Sequence, residues 1–191
     1  MIYLDNAASS WPKPAGVIQA VKKCLEETGA NPGRAGHRLA VQASRILADA
    51  RRELASLFGI RASNDILFFA NATQAINQAL KGFLQAGDHV VTTGWEHNAV
   101  ARPLEAMKRE GRITVTVVSA TPGGSVDPAE VERAIRPETR LIVATHGSNV
   151  TGAVMPVEEI GAVARRRGIR FLVDAAQTAG NLTIDVEAMG I

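Results

Sequence analysis

From Asp65 onward, short β-branched or aromatic runs alternate with segments whose apolar residues recur at helical spacing, and this alternation restricts the fold more than any other feature of the chain. Residues 66–69, 89–92, 113–118, 141–145 and 170–173 read as strands. The segments between them carry helix start and stop signals. At Asp127-Pro128-Ala129-Glu130 an acidic cap precedes a proline suited to the first helical position, with Glu130 placed to reach back. A further helix starts at Pro156, with Glu158 and Glu159 in its first turn, Arg165, Arg166 and Arg167 in its last, and Gly168 just beyond. These positions complement the helix dipole and the left-handed C-terminal geometry. Strand, helix, strand repeated at this spacing predicts an α/β fold: a doubly wound, mainly parallel sheet with helices on both faces.

The first 60 residues lack that rhythm. Residues 14–27 read as a helix, the Gly/Pro-rich stretch 29–36 as a loop, and a longer helix follows with Leu39, Ala43, Ile46, Leu47, Ala50, Leu54 and Leu57 in one stripe. Residues 1–60 are thus an N-terminal helical and irregular segment, and residues 61–191 the α/β domain. With 46% hydrophobic residues, disorder is excluded. A formal net charge of +2 gives no electrostatic case for nucleic acid or a membrane surface as partner, and 4% aromatic residues leave few stacking platforms for single strands. No apolar run nears the ~20 residues of a membrane helix. The opening Met1-Ile2-Tyr3-Leu4-Asp5 shows no secretory pattern, so a soluble, cytoplasmic protein is expected. A lone cysteine, Cys24, supports neither an internal disulfide nor a thiolate cluster; flanked by Val21 and Leu25, it reads as a small buried thiol. The histidines show no ligand spacing, so no metal is expected.

In a doubly wound sheet, ligands bind beyond the carboxyl ends of the strands. After residue 69 comes Ala70-Asn71-Ala72-Thr73 at the start of a helical register, where backbone N–H groups and the Thr73 hydroxyl suit a phosphate, although capping alone explains the same residues. After Thr92 comes Trp95-Glu96-His97-Asn98, which delivers an imidazole able to stack on a planar ring or relay protons. His89 and His146 border strands and read as packing or hydrogen-bonding residues. The turn around Asn149 is flanked by Gly147 and Gly152, as turn chemistry alone would have it. Asp174 closes an apolar strand, where it is either a cap or the partner of a cationic ring nitrogen. Phosphate donors, a flat ring, an amide and a carboxylate on one edge suit pyridoxal phosphate, whose ring nitrogen must stay protonated.

Taken in order, the motifs Tyr3-Leu4-Asp5-Asn6-Ala7-Ala8, Asn31-Pro32-Gly33-Arg34-Ala35-Gly36-His37, Ala72-Thr73, Glu96-His97-Asn98, Ser148-Asn149-Val150-Thr151-Gly152 and Val173-Asp174-Ala175-Ala176-Gln177 span the chain. On these residues it resembles the N-terminal, cofactor-binding half of the class V aminotransferase-type pyridoxal-phosphate enzymes, specifically the cysteine desulfurases. The resemblance implies an incomplete large domain of the type I pyridoxal-phosphate transferase fold. It also implies that Ala72 and Thr73 bind the cofactor phosphate, that His97 stacks on the ring and acts catalytically, and that Asp174 pairs with the ring nitrogen. Gln177 would bond the ring's phenolic oxygen, with Asn149 near that oxygen and the substrate. Asn6, Arg34 and His37 would line the substrate entrance or a dimer interface. Gln74 and Asn71 depart from the family, which more often has Glu and Gly there. The family's Schiff-base lysine lies in a Ser-x-His-Lys motif and its persulfide cysteine in a later segment; Lys13, Lys22, Lys23, Lys81, Lys108 and Cys24 match neither. The implied reaction converts L-cysteine to L-alanine with sulfur passed to an enzyme cysteine, in a homodimer serving a sulfur-acceptor protein. This chain alone is expected to be inactive. Alternatives are a selenocysteine lyase, another class V enzyme, or a non-catalytic α/β module binding a phosphate-bearing ligand.

Overall fold

Consecutive residues of the central strands face opposite sides of one sheet, and each side buries its own set of side chains. The computed structural model describes residues 2–33, 36–121 and 123–191, which fall into two units, Met1–Ile66 and Leu67–Ile191. In the second unit, β1 (His89–Thr93), β2 (Thr114–Val118), β3 (Thr139–Thr145) and β4 (Arg170–Asp174) form a wholly parallel sheet in the order β2-β1-β3-β4. Val90, Leu141 and Val143 pack against α3 (Ala72–Phe83) and α4 (Asn98–Arg109) through Ile76, Leu80, Val100, Leu104 and Met107. Val91, Ile142, Ala144 and Phe171 pack on the other side against α5 (Pro128–Arg133) and α6 (Val157–Arg167) through Val131, Val157, Ile160 and Ala164. Burial on both faces is why these strands read as continuous apolar runs. The doubly wound sheet is therefore present, with helices on both faces.

The helix signals act as read, with one difference. Asp127 accepts a hydrogen bond from the Ala129 N–H, and Gly168 takes a left-handed conformation with φ 67° after Arg167. Glu130, however, turns to Arg133 instead of reaching back. A short α7 (Val186–Met189) closes the chain against α6, where Arg165 donates to the carbonyls of Glu187 and Ala188 at 2.6 and 3.1 Å.

Residues 66–69 correct the sequence reading. They form no strand among the described residues, although Ile66 is extended with φ −85° and ψ 117°, and Leu67 is 69% exposed. A β-branched and aromatic run reports a preference for extended backbone; pairing needs a neighbouring strand with free donors and acceptors.

The first unit holds α1 (Ala15–Lys23), a π-helical turn over Cys24–Thr28, and α2 (Arg38–Leu57). The stripe on α2 is only partly covered, since Leu39, Ile46 and Leu57 are exposed. Cys24 is half-buried in the π turn beside exposed Val21 and Leu25, so the fully buried thiol expected from its apolar neighbours is not found. Asn6 accepts from the Trp11 N–H, and His37 caps α2 by accepting from the Ala40 N–H. Arg34 lies outside the described residues. No helix among the described residues is long and apolar enough to cross a membrane.

Candidate functional site

From β1 the chain crosses through α4 to β2 on one side, and from β3 through α6 to β4 on the other. The connections thus leave β1 and β3 in opposite directions, and the carboxyl ends of that pair frame a crevice. A cleft of about 230 Å³ opens there, lined by Asn71, Ala72, Thr73, His97, Ala99, Thr145, Gly147, Asn149, Asp174, Ala176 and Gln177. Ala72, Thr73, His97, Asn149, Asp174 and Gln177, six residues singled out in the sequence, share this one cleft. Asn6 and His37 belong to the first unit.

Local sequence places each wall. Asn71 caps α3 by accepting from the Gln74 N–H at 2.9 Å, while Gln74 Oε1 accepts from the Ala70 N–H at 3.0 Å. Both side chains that depart from the family are thus used at the start of the helix. The amides of Ala72 and Thr73, first and second in α3, have no partner within the helix and stand at its positive end. His97 caps α4, its Nδ1 accepting from the Ala99 N–H at 3.1 Å. That bond requires an unprotonated Nδ1, so the neutral ring carries its proton on Nε2.

Beyond β3, Ser148 Oγ accepts from the N–H groups of Val150 and Thr151, and Gly152 takes φ 74°, which fixes the turn carrying Asn149. Asp174 is buried at the end of β4, with one oxygen accepting from the Ala176 N–H at 3.0 Å. Its carbonyl accepts from the His146 N–H at 2.9 Å. Burial lowers the pKa of His146, which keeps the ring neutral beside Thr178.

Glu96, Thr145 and Thr178 were not identified from the sequence as parts of the site. Glu96 Oε1 accepts from the Thr93 hydroxyl at 2.6 Å and the Thr145 N–H at 2.9 Å, and its Oε2 is buried without a partner. Burial, foremost, and the nearby Asp174 raise its pKa to about 7 against the opposing bonds from Thr93 and Thr145. The available signal was its place between the end of β1 and His97, a position that closes onto the sheet.

The family model described as Aminotransferase class-V matches residues 2–191. The chain belongs to this family. A probable cysteine desulfurase of Methanothermobacter thermautotrophicus is 40% identical over 190 residues, covering 99% of this chain and 47% of that protein. The cysteine desulfurase IscS of Anaeromyxobacter sp. (strain K) is 37% identical over 194 residues, covering all of this chain and 47% of the relative. This class-V chain therefore spans about half the length of the curated relatives it matches. Among solved structures, one described as SspA in complex with cysteine superposes with a TM-score of 0.93 at 35% identity, over 100% of this chain and 55% of that one. The apo cysteine desulfurase of Thermococcus onnurineus NA1 superposes with a TM-score of 0.91 at 29% identity, over 99% of this chain and 47% of that one.

Proposed function

We propose that this class-V chain is the cofactor-binding half of a pyridoxal-phosphate-dependent cysteine desulfurase. One observation carries the reading: the α3 N-terminus, His97, Asn149, Asp174 and Gln177 line a single cleft at the point where the strand connections diverge. Cysteine desulfurases among its relatives and neighbours support it, as does the cysteine held by SspA. The donor set fits the cofactor: unpaired helix amides for an anion, a flat ring, and a buried carboxylate that gains from a cationic partner.

When bound, pyridoxal phosphate supplies an electron-withdrawing ring that accommodates negative charge developing on the substrate's α-carbon. The amides of Ala72 and Thr73 and the Thr73 hydroxyl bind the phosphate. Asp174 holds a proton on the ring nitrogen, and Gln177 donates to the phenolic oxygen. His97 would cover the ring face, and its Nε2–H is the hydrogen-bond donor it presents there, because Nδ1 is committed to the α4 cap. The substrate is L-cysteine, with alanine and transferable sulfur as products, in a homodimer that hands sulfur to an acceptor protein. None of Lys13, Lys22, Lys23, Lys81 and Lys108 lies in a Ser-x-His-Lys motif, so this chain by itself gives no turnover.

Calorimetric titration with pyridoxal phosphate tests the binding half of this reading. Saturable binding that Asp174→Ala and Thr73→Val both weaken is expected. Binding indifferent to Asp174→Ala would refute the ring-nitrogen assignment. Alanine formed from L-cysteine by this chain, cofactor-dependent and lost in Asp174→Ala, would refute the assignment of inactivity.

A further inference from the structure

The register between β1 and β3 ends at the pair Thr92 and Val143, and the N–H of Thr145, two residues further on, bonds to Glu96. A buried amide left without that bond would be costly. Glu96 supplies the acceptor. Its Oε1 takes the Thr145 N–H at 2.9 Å and the Thr93 hydroxyl at 2.6 Å, and the same Thr93 oxygen accepts from the Trp95 N–H at 3.2 Å. One carboxyl oxygen thus ties the end of β1, the turn after it and the end of β3 together where the two strands separate. On one side Glu96 is bonded through the backbone to His97. On the other, Thr145 lines the cleft and its hydroxyl lies 3.4 Å from the Asp174 carbonyl.

We infer that Glu96 is the positioning residue of the cleft: its carboxyl links the ends of β1 and β3 and so sets the spacing between the His97 ring and the rim formed by Thr145 and Asp174. The role of that spacing in holding pyridoxal phosphate rests on the function proposed above; the spacing itself does not. Only Oε1 is used, while Oε2 is buried without a partner, so a neutral acid performs the task as well as a carboxylate would. The shift of the Glu96 pKa to about 7, chiefly by burial, agrees with that.

The test compares Glu96→Gln, which keeps the Oε1 acceptor, with Glu96→Ala, which removes it. Two properties are read on the whole chain: pyridoxal phosphate affinity by calorimetry, and the His97 imidazole nitrogen resonances without cofactor. Glu96→Ala is expected to weaken pyridoxal phosphate binding by about tenfold and to move the His97 resonances. Glu96→Gln should stay within about twofold of the native affinity and leave the resonances in place. Val163→Ala, which truncates a buried side chain of α6, serves as the purely structural control and should lower stability while moving neither property. If Glu96→Ala does not fold, Thr93→Val removes one of the two donors and is expected to show the same changes in smaller degree. The inference is overturned if Glu96→Ala leaves both properties native, or if Glu96→Gln falls as far as Glu96→Ala. Should the native chain fail to bind pyridoxal phosphate, the proposed function is what fails; the His97 resonances then decide the positioning role alone, and unmoved resonances in Glu96→Ala reject it.

Discussion

Nδ1 of His146 lies 2.9 Å from Oγ1 of Thr178, and this contact fastens the turn after β3 to the turn after β4. Asn149 sits on the first turn and Gln177 on the second, so their separation across the cleft depends on a pair that does not itself line it. Gly147 permits the approach, since a Cβ there would stand 2.7 Å from the Thr178 methyl carbon. Thr178→Val keeps the shape and removes the hydroxyl, leaving a buried ring nitrogen without its partner. A loss of about 1–3 kcal/mol in urea-unfolding stability is expected. Gly147→Ala should be destabilising as well, by forcing the two turns apart; native stability in both variants would remove this pair from the account.

Buried imidazoles and a buried carboxyl impose opposite pH dependences on stability. His89 bridges three strands, 2.7 Å from the Thr139 hydroxyl and 2.9 Å from that of Thr116. Burial lowers its pKa, Arg136 adds to the effect, and Glu138 opposes it; burial also lowers His146. Their contribution is present above the unfolded value of 6.5 and is lost as pH falls through the depressed folded values. Glu96 runs the other way: raised from 4.5 to about 7, it favours folding fully below pH 4.5 and loses that contribution as pH rises through 7. Over that window the change is about 3 kcal/mol. Glu96→Gln abolishes it, so the variant should gain on the native chain as unfolding is measured from about pH 5 to about pH 8. A difference that does not vary with pH would contradict the raised pKa.

The contact between α6 and α7 depends on the absence of a side chain. A Cβ on Gly161 would overlap the Met189 carbonyl, beside the place where Arg165 holds the carbonyls of Glu187 and Ala188. Gly161→Ala should detach residues 185–191, seen as faster hydrogen exchange confined to that segment, with about 1–3 kcal/mol of overpacking cost if the segment stays docked. Unchanged exchange together with unchanged stability would show that α7 packs otherwise.

Much of this architecture could be read from the residues, for reasons specific to each element. The central strands β1 and β3 are buried on both faces, so their runs carry few exposed positions, whereas β2 and β4 lie at the sheet edges and are partly exposed; Asp127 and Gly168 mark helix ends by local chemistry alone. Pairing is not local, which is why residues 66–69 carry strand composition without forming a strand. The cleft followed from topology: residues just beyond parallel strands gather on one edge. What escaped were groups that act across the sheet. The importance of Glu96 comes from the N–H of Thr145, 49 positions away, and that of Thr178 from His146, 32 positions away. No periodicity or motif encodes either distance.

The start of α3 separates stability from ligand binding at neighbouring residues. The Asn71 side chain accepts from the Gln74 N–H and serves the helix, whereas Thr73 is exposed and lines the cleft at the first turn. Asn71→Ala should cost about 1 kcal/mol in unfolding stability, the usual loss for a helix cap. Thr73→Val, a surface change in a helix, should stay within about 0.5 kcal/mol. Affinity should divide in the opposite sense. Thr73→Val is expected to weaken inorganic phosphate and pyridoxal phosphate by a similar factor, because the hydroxyl contributes to the phosphate alone. Asn71→Ala should leave the ligand amides of Ala72 and Thr73 in place and reduce affinity less. If Thr73→Val lowers pyridoxal phosphate affinity without affecting inorganic phosphate, the hydroxyl serves another part of the ligand, and the phosphate must be placed elsewhere in the cleft.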